Sequence, residues 1–215
     1  MGIKISGIRW ARDEQTKIGK RIIKPKPKTG VASNYRERLE EEFGEGGAFL
    51  KVADNEFITT SSFLGNPTIK ELQSEGIQFH FVPDGMFFHP FLTRIFEKIT
   101  YSSTKHIDQV LNIIPEKKIM AVSSEYFAMH KNTIDGLRKR LGFEHLVVTS
   151  EEESKKMAVN FLELGDGKIL VDKGCPDFIK QLRALGVEVV ETAVPLGEFL
   201  DAQGGLRCFF GEHFE

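Results

Sequence analysis

AVNFLELGDGKILVDKGCPDFIKQLRALGVEVVETA, residues 158–193, is the stretch that decides the fold. Ala158–Leu164 reads as a strand, and Gly165-Asp166-Gly167 reads as the hairpin turn that follows it, because such turns need backbone angles that glycine supplies without strain. Lys168–Asp172 is the return strand. Pro176 opens a helix at its first turn, where its missing N–H costs nothing, and Phe178, Ile179, Leu182 and Leu185 recur at helical spacing on one inward stripe. Gly186 stops the helix and Val187–Ala193 returns as a strand. The unit is strand, strand, helix, strand.

The same order recurs upstream. Ile107–Ile114 alternates as a strand until Pro115 ends it, and Lys118–Ser123 is a second strand. A helix over 125–141 presents Phe127, Ile134, Leu137 and Leu141 and closes on basic residues before Gly142. His145–Thr149 is its return strand. Two earlier copies are weaker. Gly47–Val52 and Glu56–Thr60 pair across Ala53-Asp54-Asn55, a helix runs over 67–75 behind the cap Asn66, and Ile77–Val82 returns. Ile5–Arg12, Lys20–Lys24 and a helix over 33–43 make the first copy, and a fifth begins after Leu206.

Repeats of roughly 50 residues imply a propeller-like array. The units fall at about 1–46, 47–103, 104–156 and 157–203, with a partial one at 204–215, all in one domain over 1–215. Because each unit carries a helix, the expected packing is an α+β ring with its helices outside. Half a unit is wanting to close it, so the chain is either a fragment lacking an N-terminal strand-helix-strand or an open ring.

Composition excludes several classes of function. The chain of 215 residues is 40% hydrophobic and 28% charged, with a net charge of −2, so nothing in its bulk electrostatics asks for nucleic acid or an anionic membrane. Its apolar runs, such as 143–149 and 187–190, are too short to span a bilayer, and the start lacks a signal peptide. Cys175 and Cys208 are therefore expected as reduced thiols in a cytoplasmic protein. The basic run over 17–28 reads as a solvated edge. The 18 phenylalanines imply a well-filled core or a Phe-lined pocket. His80 and His89 lack the partners a metal site needs, and Gly165 and Gly167 belong to a hairpin, so neither metal nor cofactor is expected.

Four motifs carry chemistry. Arg12-Asp13 ends a strand and puts a carboxylate at a rim. Gly44-Glu45-Gly46-Gly47 lets the backbone turn tightly and bring a carboxylate close to something. His106-Ile107-Asp108, read on a strand, points a proton-transfer group and a fixed negative charge the same way. Gly204-Gly205-Leu206-Arg207-Cys208 allows a sharp turn that presents a thiol at a strand start. Each motif alone has a bland reading: a surface ion pair, a helix stop, surface decoration, a buried core cysteine.

In this order the four motifs resemble the guanidino-group-modifying superfamily, which includes arginine deiminases, dimethylarginine dimethylaminohydrolases, agmatine and peptidylarginine deiminases and arginine amidinotransferases. The resemblance runs over residues 8–210 and is strongest in 104–210. It implies the pentein fold, a ring of five ββαβ units about a pseudo-fivefold axis. It implies Cys208 as nucleophile, His106 as general acid/base and Glu45 as the acid supporting that histidine. It also implies that Asp13 and Asp108 clamp a guanidinium, with Arg12 on the substrate side. The implied reaction is hydrolysis of a guanidino C–N bond. An amidinotransferase, or a non-catalytic pentein acting as a binding module, are the alternatives, and a homodimer is compatible with all three. The chain departs from the superfamily at Ala48, where many relatives carry Asp, and at Phe209-Phe210, where a small hydroxyl residue usually follows the cysteine.

Overall fold

A computed structural model describes residues 16–24, 43, 46–88, 101–104, 106–196 and 205–209. Its centre is three three-stranded sheets of one design, each an antiparallel hairpin whose second strand also pairs with a parallel third. In the first, β3 (Phe49–Ala53) pairs with β4 (Glu56–Thr60), helix α1 (Pro67–Ser74) crosses over, and β5 (Gln78–Val82) lies parallel to β4 with Ile58 opposite His80. In the second, β8 (Leu111–Ile114) and β9 (Ile119–Val122) are followed by α2 (Ser124–Arg140) and β10 (His145–Val148). In the third, β11 (Leu162–Gly165) and β12 (Lys168–Val171) are followed by α4 (Pro176–Ala184) and β13 (Glu188–Glu191). The parallel return in each requires a crossover, which is what the helix supplies.

The strand-strand-helix-strand reading holds for these three units. Asn66 caps α1 by accepting a hydrogen bond from the Thr68 N–H at 2.9 Å. Gly186 stops α4 at φ +74°, a conformation that side chains with a Cβ rarely adopt. Two hairpins, β1 (Thr16–Ile18) with β2 (Arg21–Ile23) and β6 (Gly85–Phe88) with β7 (Tyr101–Thr104), and the short helix α3 (Glu151–Lys155) complete the described strands and α-helices with α5 (Leu206–Phe209). The expected strand over Ile5–Arg12 and the helix over 33–43 lie outside the described residues.

Two strands differ from expectation. The one expected over Ile107–Ile114 begins only at Leu111, because Ile107–Gln109 is a 3-10 turn closed by the Gln109 N–H on the His106 carbonyl at 3.3 Å. The one expected over Ala158–Leu164 begins only at Leu162, because Met157 turns at φ +53° and Ala158–Phe161 cross the core as irregular chain.

Three apolar clusters fill the interior, and none of them belongs to a single unit. Ile114, Ile119, Ala121 and Val147 of the second sheet pack with Val159, Ile169, Val171, Phe178 and Leu182 of the third unit. Leu50, Ile58 and Val82 of the first sheet pack with Ile107, Leu111, Met120, Tyr126 and Leu137 of the second. In the remaining cluster Phe43, Phe49 and Phe63 meet with ring centroids 5.4–5.7 Å apart, in edge-to-face and stacked pairs. So the described phenylalanines of this cluster fill a core. Among the described residues no helix is long and apolar enough to cross a membrane.

Cys175 is fully buried at the cap of α4, and burial followed by the Asp172 and Glu153 charges pushes its thiol up to about 12. The folded chain thus keeps this proton more firmly than the unfolded chain, whose thiol ionises near 9. The resulting stability is fully present below pH 9 and is lost as pH rises toward 12. Urea unfolding between those values is expected to show a falling midpoint, with a shallower fall in Cys175→Ala.

Candidate active site

The fold brings His106, Asp108 and Cys208 together at the seam between the first two units and the C-terminal helix α5. Gly46–Ala48 form a buried 3-10 turn just before β3. A Cβ on Gly47 would lie 2.8 Å from Nδ1 of His106 and 3.0 Å from Oδ1 of Asp108, so only glycine lets this turn close on both side chains. His106 is half-buried and leads the Ile107–Gln109 turn, while Asp108 is fully buried within it. The pair does not share the face of a strand, as expected from the His-x-Asp spacing. The 3-10 turn places both side chains at Gly47 instead.

Cys208 arrives on α5 rather than at the expected strand start. It is buried, and its thiol lies 3.9 Å from Oδ2 of Asp108. Burial raises the thiol pKa first and the Asp108 charge raises it further. A hydrogen bond and charge from His106 pull the other way, as does a backbone hydrogen bond from Gly205. The sulfur thus sits between an acid that disfavours its thiolate and a histidine that favours it. A bound cation beside Asp108 would cancel the first influence and leave the second.

Two buried asparagines, absent from the sequence-based site, bind this corner. Asn160, 1% exposed, donates from Nδ2 to the Asp108 carbonyl at 3.0 Å and to Sγ of Cys208 at 3.4 Å. Its Oδ1 accepts from the N–H groups of Arg207 at 2.9 Å and Cys208 at 3.3 Å. Asn112 donates to the carbonyls of Val159 at 3.0 Å and Phe161 at 3.1 Å, and Nη1 of Arg207 reaches its Oδ1 at 3.5 Å. The one sequence signal for Asn160 is a lone amide inside the apolar run Ala158–Leu164.

Arg12, Asp13 and Glu45 lie outside the described residues. A groove of about 970 Å³ is lined by Arg207 together with Lys17, Lys51, Asp54, Glu116 and Glu163, and none of His106, Asp108 or Cys208 lines it. His80 pairs with Glu56 at 2.8 Å, and among the described residues no group of acids, histidines and cysteines is disposed to hold a metal ion.

No family model matches the chain, and no curated protein resembles it by sequence. Solved structures do resemble it in shape. They place the chain in the fold of the guanidino-modifying pentein enzymes, a mixed α+β architecture of small sheets. A dimethylarginine dimethylaminohydrolase from Pseudomonas aeruginosa, complexed with citrulline, superposes with a TM-score of 0.60 at 16% identity, over 91% of this chain and 72% of that one. C. jejuni agmatine deiminase superposes at 0.52 and 20% identity, over 77% of this chain and 54% of that one. An amidinotransferase of saxitoxin biosynthesis from Microseira wollei superposes at 0.54 and 16% identity, over 77% of this chain and 46% of that one.

Proposed function

We propose that this protein is a hydrolase acting on a guanidino C–N bond of arginine or an arginine derivative, through a thiouronium intermediate on Cys208. One observation carries the reading. A cysteine converges with a histidine and a buried carboxylate about a hundred positions upstream of it, with the thiol 3.9 Å from the carboxylate. The fold shared with deiminases and a dimethylaminohydrolase supports the same chemistry.

The guanidinium is planar and cationic, so its N–H groups donate to Asp108 while its charge offsets the acid that holds the thiol protonated. His106 takes the proton of Cys208, and the sulfur attacks the guanidinium carbon. His106 gives a proton to the departing nitrogen as the C–N bond breaks, leaving the carbon on sulfur. Water, deprotonated by His106, then attacks that carbon. The C–S bond breaks, the ureido product leaves, and Cys208 is restored. In this scheme Glu45 supports His106, while Asp13 and Arg12 complete the substrate clamp. The three units are then consecutive blades of a pentein-type ring, working in the cytoplasm on a small-molecule guanidine.

The test is incubation with arginine, agmatine and dimethylarginine, with colorimetric detection of ureido product. Cys208→Ser is expected to lower turnover at least about 10³-fold, since a neutral hydroxyl is a far weaker nucleophile than a thiolate. Turnover that survives the substitution removes Cys208 from the reaction. Product that forms only when an amine acceptor is added replaces hydrolysis with amidino transfer. No product from any guanidine, with no labelling of Cys208 by a haloacetamidine, leaves the chain a binding module.

A further inference from the structure

We propose that Asn160 is the positioning residue for the Cys208 nucleophile: one carboxamide fixes the turn that carries the thiol and offers the sulfur a hydrogen-bond donor. This rests on the reading of Cys208 as the attacking atom. A carboxamide has two donor hydrogens and an acceptor oxygen with two lone pairs. Here both ends are in use. The oxygen receives two consecutive backbone N–H groups, those of Arg207 and Cys208, at the start of α5. The backbone carbonyl of Asn160 receives the Arg207 N–H as well, at 3.0 Å. The nitrogen bridges the Asp108 carbonyl and the sulfur.

Asn160 therefore ties the turn that carries the acid to the helix that carries the thiol. The fit is tight. A Cβ on Gly205 would lie 2.4 Å from Oδ1 of Asn160 and 2.7 Å from its Cβ, so the glycine before α5 is what admits the amide. An N–H aimed at sulfur stabilises the thiolate over the thiol, because a hydrogen bond to the charged form favours that form. In a site where burial and Asp108 both oppose ionisation, such a donor bears directly on how much thiolate is present at neutral pH. An aspartate in the same place would replace the donor by a second negative charge.

The experiment follows iodoacetamide labelling of Cys208 across pH, with the labelled peptide identified by mass spectrometry, in the wild type, Asn160→Asp and Asn160→Ala. Thermal denaturation and steady-state kinetics are measured on the same samples. The expected result is a labelling midpoint moved up by about one pH unit in Asn160→Asp, with labelling at neutral pH slowed roughly tenfold. Asn160→Ala moves the midpoint the same way by less. The drop in turnover falls on kcat, with KM little changed. A folded variant of either kind whose labelling profile overlays the wild type overturns the proposal, since a purely structural amide would change the melting temperature and leave the profile in place. If neither variant folds, Gly205→Ala decides: it pushes the amide without removing it, and an unshifted profile there is equally fatal. A wild type that turns over no guanidine defeats the hydrolase reading, while the labelling profiles still decide for or against Asn160.

Discussion

Asp108→Asn is expected to make Cys208 more reactive toward a small alkylating agent while lowering guanidine turnover at least about 10²-fold. The two effects have one origin. The Asp108 carboxylate lies 3.9 Å from the sulfur and raises the thiol pKa by its charge. The amide keeps the shape and removes the charge, so the thiol ionises at lower pH and iodoacetamide labels it faster at neutrality. The same exchange takes from the substrate the anion that its guanidinium would face, and a charge-assisted hydrogen bond in a buried site is worth far more than a neutral one. Rates of labelling and of ureido formation, measured on one preparation, check both signs. A variant labelled more slowly than wild type would show that Asp108 does not act on the thiol through its charge.

Glu153→Ala is expected to be strongly destabilising although Glu153 lies away from the site. Ser150-Glu151-Glu152-Glu153 has the spacing of a capping box, and Ser150 does cap α3, accepting from the Glu153 N–H at 3.2 Å. The Glu153 carboxylate, however, reaches across to α4. It is 3% exposed and accepts from the Asp177 and Phe178 N–H groups at 2.8 and 3.1 Å. These are orphan donors of the first turn of α4, and Cys175 at the cap makes no side-chain bond to them. Truncation leaves both donors without their carboxylate, the one on Phe178 in a buried position, at a cost of about 2–4 kcal/mol. For a chain of this length that lowers the melting temperature by roughly 5–15 °C. Glu153→Gln, which keeps one accepting oxygen, is expected to lose less than half as much, and circular dichroism melts of the two variants measure the difference.

The units were legible because their boundaries are written in residues with strong local preferences. Gly165-Asp166-Gly167 has no comfortable alternative to a turn, all three residues having positive φ, and Pro176 and Gly186 bracket α4 whatever surrounds them. The site was legible in residue type but not in local geometry. Cys208, His106 and Asp108 lie close together. Yet the His-x-Asp spacing suggested a strand, and the burial of Asp108 against Gly47 selected a 3-10 turn. Period-two alternation reports on burial of one face, and it carries no information about a contact to a residue sixty positions away. Asn160 was hidden for a related reason. Its partners are mainly the backbone groups of Asp108, Arg207 and Cys208, and backbone groups have no signature in a sequence.

The shared apolar clusters have a consequence for how such a chain can be taken apart. In stacked repeat proteins each unit contacts its neighbours through a modest interface, and units are gained or lost one at a time. Here Ile114 and Val147 on one side and Phe178 and Leu182 on the other belong to one core, and the preceding seam is built likewise. Cutting between the second and third units would leave two broad greasy faces, each the missing half of the other. Truncation at that boundary should yield aggregating pieces rather than smaller folded proteins, and the intact body should melt as a single cooperative block despite its modular appearance.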